Sequence, residues 1–145
     1  MPLIVYKSTA LLPFGVINDN NRVFFSTIWL LSLHVCSVEN GARVAKLSTD
    51  ELAVEKVWPL AVQRHSYGNG FVVCGILYLV RDTRAKTTII DYAYDMYTEQ
   101  PVDGIKLSFT NPFEMNNMLA YNPVEKTLYS WDKGNQLVYR LVIVD

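Results

Sequence analysis

The stretch Met118–Leu141, MLAYNPVEKTLYSWDKGNQLVYRL, decides the fold. Its first apolar segment stops at Asn122-Pro123, because proline has no N–H to donate to a strand ladder. Asp132-Lys133-Gly134-Asn135 then supplies the residue types of a tight turn, between two runs rich in Leu, Tyr and Trp. A strand, a break and a β-hairpin are predicted. Past the turn, Leu137, Tyr139, Leu141 and Ile143 alternate with Val138, Arg140, Val142 and Val144, the period of a strand with one buried face.

Working back along the chain, Ile105–Phe109 is a short strand run halted by Asn111-Pro112. In TTIIDYAYDMY, Thr87–Tyr97, alternation places Ile90, Tyr92, Tyr94 and Met96 on one face and Ile89, Asp91, Ala93 and Asp95 on the other. One face is expected to be buried and the other edged with carboxylates. Arg81–Lys86 reads as a polar turn, and Phe71–Val80 as one almost unbroken apolar strand covered on both faces. Leu52–Trp58 reads as a short strand closed by Pro59. Thr49–Lys56 has a helical alternative with Thr49 as cap, ranked below strand for its second half. GILYLVRD followed by TIIDYAYD resembles KTLYSWDKG followed by QLVYRL, which suggests repeated sheet units. Short strands at near-regular spacing, with Tyr and Trp at their centres, predict an all-β protein of sandwich or propeller type.

A chain of 145 residues, 50% hydrophobic and 19% charged, has the composition of one modest globular domain. Thirteen Lys and Arg against 14 Asp and Glu leave no electrostatic footprint for nucleic acid or an anionic membrane. Phe24–Cys36 is a run of about 13 residues, short of the ~20 a spanning helix needs, so no membrane insertion is expected. It reads as a buried segment or as the core of a signal peptide, and the long polar stretch before it favours the former. Cys36 and Cys74 form no C-x-x-C, which disfavours a zinc ribbon or a thioredoxin-type motif. One long-range disulfide or two buried thiols both remain open.

The segments AKLSTDELAVEKVW, GNGFVVCGILYLVRD, IDYAYD, SFTNPF and YNPVEKTLYSWDKGNQLVYRL together resemble the C-terminal part of an olfactomedin domain. The resemblance covers residues 44–145 and leaves 1–43 as an unmatched N-terminal segment. It implies a five-bladed β-propeller, of which this chain holds the last two to three blades. Blades take about 40 to 50 residues and a ring needs at least four, so a partial propeller is expected. It further implies a non-enzymatic, secreted module that binds extracellular matrix or cell-surface proteins. An unclosed ring leaves strand edges and blade faces exposed, so self-association through them is expected. The alternative is a truncated isoform without independent binding function.

Many such domains hold calcium in the central cavity. Carried over residue by residue, Asn69 matches the amide ligand, and Gly70 and Leu119 match carbonyl donors. Ala120 stands where the family has an aspartate, and Val38 falls on the second aspartate, before Glu39-Asn40-Gly41. Calcium takes six to eight oxygens with enough carboxylate to offset its charge. No tight calcium site, and no other cofactor, is therefore expected. The resemblance also implies that the cysteine matching Cys74 pairs near the start of the domain. Cys36 does not stand in that entry motif, so a substitute Cys36–Cys74 bond is the open possibility.

No catalytic constellation emerges from the residues. Asp91 and Asp95 lie four apart on one strand, ~13 Å, too far for a shared ion or a glycosidase pair, and a solvated or turn-facing role is expected. His34 sits in an apolar run and His65 in a polar loop, neither beside a nucleophile, and no G-x-S-x-G, H-E-x-x-H or phosphate loop occurs. Trp29, Trp58 and Trp131 are expected in inter-blade core. No N-x-S/T sequon is present.

Overall fold

The computed structural model describes residues 3–6, 29–30, 41–47, 51, 53–63 and 66–144. Twelve strands form over these residues, and they fall into two compact units.

The smaller unit is a three-stranded antiparallel sheet, order β2-β3-β4, of β2 (Trp29–Leu30), β3 (Gly41–Leu47) and β4 (Val54–Gln63). Val44, Trp58 and Leu60 are buried in it, and Lys56 Nζ lies 5.0 Å from the centre of the Trp58 ring. The strand predicted to stop at Pro59 runs on to Gln63. β4 is the outer strand of its sheet, where a missing N–H costs no ladder bond, and β3 shifts register between Gly41 and Arg43, which is opposite Pro59.

The larger unit holds two sheets. The first is built from β5 (Asn69–Val73), β6 (Ile76–Val80) and β7 (Thr87–Asp95), with β8 (Gln100–Val102) and β9 (Leu107–Thr110) sharing the far edge of β7. The run Phe71–Val80 is thus a hairpin, not one strand. Cys74 and Gly75 form its two-residue turn at φ 49° and 82°, the positive pair of a type I′ turn. A Cβ on Gly75 would run into the Tyr97 ring, and the positive φ also favours glycine at this corner. β6 is buried along its whole length, as expected for a central strand.

Alternation in β7 is broken once. Leu79 faces Tyr92 but Val80 faces Ile90, so Asp91 is an extra residue, a β-bulge. Ile90 and Ala93 consequently share the core, against the predicted split of even and odd positions. The edge partner changes at the same place: β9 pairs residues 87–90 and β8 pairs residues 93–95.

The second sheet has the order β1-β12-β11-β10, with β1 (Leu3–Tyr6), β10 (Asn116–Asn122), β11 (Thr127–Asp132) and β12 (Asn135–Val144). Lys133 and Gly134, at φ 46° and 78°, make the predicted tight hairpin between β11 and β12. Asn122 Oδ1 accepts from the N–H groups of Val124 and Glu125 and so organises the Pro123 turn. β1 lies parallel to β12, Leu3 opposite Leu141, and covers its outer edge. Nothing in the periodicity of LIVY announced this pairing.

The two sheets meet through one core. Phe71, Val73, Ile76, Tyr78, Val80, Ile90, Ala93 and Phe109 pack with Leu128, and Leu119, Tyr121, Tyr139, Leu141 and Ile143 close around them. Phe71 stacks on Tyr78 and Phe109 on Tyr139, with ring centres 5.4 and 4.8 Å apart. The two sheets, antiparallel throughout except for the parallel edge strand β1, are consecutive blades joined through one core, and the described chain is a partial β-propeller.

Candidate interaction surface

The sequence repeat explains which face of the last blade is open. GILYLVRD and KTLYSWDKG align Tyr78 with Tyr129, Ile76 with Thr127 and Val80 with Trp131. Register extends the match across each sheet. Phe71 and Ala93 flank Tyr78 as Ala120 and Val138 flank Tyr129. In the first blade this face is buried in the core. In the second, alternation sends Leu119, Tyr121 and Leu128 into that core and leaves the equivalent face outward.

Met118, paired with Trp131, is 56% exposed, Trp131 is 47% exposed and Val138 is 58% exposed. Tyr129 lies between them with its hydroxyl donating to Glu125. Trp131 therefore departs from the inter-blade core position expected of it, whereas Trp58 is buried within the smaller unit. The side chain of Trp29 lies outside the described residues. Met118, Trp131 and Val138 thus form an exposed apolar patch on this sheet face.

The calcium-position residues sit on the inner strands β5 and β10. Asn69 donates through Nδ2 to Asn116 Oδ1 at 2.6 Å and to the Asn116 carbonyl at 3.3 Å, and its Oδ1 accepts from Gly70 N–H at 2.9 Å. Leu119 pairs with Ser130, and Ala120 pairs with Tyr129. Val38, Cys36, His34 and His65 lie outside the described residues. Cys74 is exposed in its turn. Among the described residues no three His, Cys, Asp or Glu side chains gather, and no helix is long and apolar enough to cross a membrane.

The bulge aims Asp91 at a clamp that spacing alone did not reveal. Arg81 reaches Asp91 Oδ2 through Nε at 2.8 Å and Nη2 at 2.7 Å, and Tyr67 donates to Oδ1 at 2.9 Å. The Arg81 guanidinium also stacks over the Tyr67 ring, 5.0 Å away. Burial pushes the Asp91 carboxyl up, but the hydrogen bonds from Arg81 and Tyr67 outweigh it and hold the group below its usual range. Burial first, and the Asp91 bond second, push the Tyr67 phenol up to about 12. Neither group is poised to move a proton near neutral pH. Tyr67 and Arg81 also line, with Ser66, Asp82 and Arg84, an open cleft of about 510 Å³. Asp95 takes the turn-facing role, its Oδ1 accepting from Tyr97 and Thr98 N–H at 2.9 and 3.1 Å.

Comparison with known proteins agrees with this architecture. The family profile described as "Olfactomedin-like domain" matches residues 29–145. The chain is similar to myocilin of Rattus norvegicus, 35% identical over 119 residues, which is 79% of this chain and 22% of the relative. It is similar to myocilin of Felis catus, 34% over 98 residues, 68% of this chain and 20% of the relative. Olfactomedin-like protein 3 of Gallus gallus is 30% identical over 105 residues, 71% of this chain and 27% of the relative. The chain thus spans about a fifth to a quarter of the length of these curated relatives. With the profile covering most of the sequence and the strands forming consecutive blades, the chain belongs to the olfactomedin-like domain family.

Proposed function

We propose that this chain is a non-enzymatic extracellular interaction module that binds other proteins, further copies of itself included, through the open face of its last blade. The observation that carries the reading is the exposed row Met118, Trp131 and Val138 around Tyr129, on the face whose counterpart in the preceding blade is buried. Family membership supports this class, a blade scaffold that presents faces and loops to other proteins. Anchors of this kind, an aromatic flanked by aliphatics, are what protein interfaces concentrate at their centres.

The proposal includes the absence of tight calcium binding at the inner strands. It is supported by Ala120, which brings a methyl group where a carboxylate is needed, and by Asn69, whose amide is already engaged with Asn116 and Gly70.

Expression in animal cells with the native N-terminus tests the main reading. The chain is expected in the medium and on protease-sensitive sites of cell surfaces, with binding weakened at least about tenfold by Trp131→Ser with Val138→Glu. Retention inside the cell, or surface binding that the double variant leaves unchanged, contradicts it.

A further inference from the structure

The outer edges of the two blades end differently. In the first blade β7 is covered along both halves of its edge, by β9 over residues 87–90 and by β8 over residues 93–95. Its counterpart in the last blade, β12, is covered by β1 over residues 141–144 alone. Among the described residues no strand pairs with the outer edge of residues 135–140, where Gln136, Val138 and Arg140 are exposed. A row of unpaired backbone groups recruits further strands unless proline, a bulge or several charges defend it. This edge has no proline, no register shift against β11, and Arg140 as its one charge.

The turn before β12 fixes what the edge presents. Lys133 and Gly134 make a two-residue turn, so Asp132 and Asn135 are a hydrogen-bonded pair, and along the unshifted ladder Leu137 and Tyr139 bond to β11 in the same way. The N–H and C=O groups of Gln136, Val138 and Arg140 therefore point outward. In an antiparallel pair, hydrogen-bonded residues stand directly opposite one another, so this set calls for a like-spaced set in the added strand. A second copy of β12 supplies it. With Val138 opposite the same residue of the other copy, Gln136 meets Arg140 on either side and all three residues are engaged. A shift in either direction runs into the Gly134 turn or into residues already held by β1. In the centred register no like charges stand opposite, and a β-branched apolar pair lies on the two-fold axis.

We propose that this chain forms a two-fold dimer by antiparallel pairing of its β12 edges over residues 136–140, centred on Val138. The inference rests on the self-association in the proposed function and names its geometry. The backbone edges join, and the open faces of the two last blades become one continuous sheet surface that carries Met118 and Trp131 of both copies.

Sedimentation velocity of the whole chain and its charge variants tests this register. The wild-type chain is expected to form a dimer as concentration rises. Gln136→Arg sets like charges opposite each other twice per dimer and is expected to weaken it about fivefold or more, whereas Gln136→Glu sets a carboxylate opposite Arg140 and is expected to tighten it. Adding Arg140→Glu to Gln136→Arg is expected to restore the dimer, a rescue that a contact made elsewhere would not give. Association that the Gln136 variants leave unmoved but Trp131→Ser abolishes overturns the edge pairing and leaves the open-face reading standing. A wild-type chain that stays monomeric overturns the dimer too, and this outcome does not depend on any variant folding; binding to cell surfaces then tests the open-face reading by itself.

Discussion

Gly75 shows how much one backbone position decides. With φ at 82° and Tyr97 against its Cα, Gly75→Ala is expected to destabilise the domain by about 2 kcal/mol or more, read from denaturant unfolding. The hairpin it closes was not legible in the sequence, because Cys74-Gly75 interrupts Phe71–Val80 without any of the Asn or Asp residues that usually announce a type I′ turn. Asp91 carries a second prediction. Its folded pKa lies below the ordinary carboxylate value, so its contribution to stability is present above about pH 3.9 and is lost as pH falls through the lower folded value. Asp91→Asn is therefore expected to be less stable than wild type at pH 7, with the difference shrinking as pH falls, by thermal unfolding at a series of pH values. Tyr67 has the opposite sign: its raised pKa stabilises below about pH 10 and the gain is lost as pH rises through about 12.

At the level of the element, strands are legible where alternation is unbroken. β12 follows its predicted faces, Tyr139, Leu141 and Ile143 inward and Val138 and Val142 outward, because no bulge interrupts it. β7 does not, because a single extra residue at Asp91 shifts the period, and no composition signal distinguishes a bulge residue from its neighbours. The same contrast sets two expectations for β11. Leu128→Ala is expected to cost about 2 to 5 kcal/mol, since the side chain is fully buried between the blades. Trp131→Ser, three residues on but on the open face, is expected to change stability by less than about 1 kcal/mol while weakening association. Chemical denaturation of the two variants compares them directly. Trp131 reads as core because aromatics in propeller strands usually pack between blades, and only the packing shows that the surface able to cover it is not provided by β5–β9.

For the whole molecule, the all-β propeller class and the family were legible from Asn122-Pro123, the Lys133-Gly134 turn and the repeated Leu-Tyr strands. The interaction surface was legible only in part: periodicity placed Val138 outward, but whether an outward face meets water or another blade is a property of the assembly of sheets, not of one strand. Buried Asn111 and Asp132 were equally hidden, since both read as ordinary turn residues. The partial propeller ends on an apolar sheet face, and such a face is expected to find a partner. Sedimentation velocity of the purified chain over a wide concentration range tests that claim most directly. The wild-type chain is expected to associate as concentration rises, and Trp131→Ser with Val138→Glu is expected to remain monomeric with an unchanged unfolding curve. A wild-type chain that stays a monodisperse monomer throughout, indistinguishable from the double variant, would contradict the account.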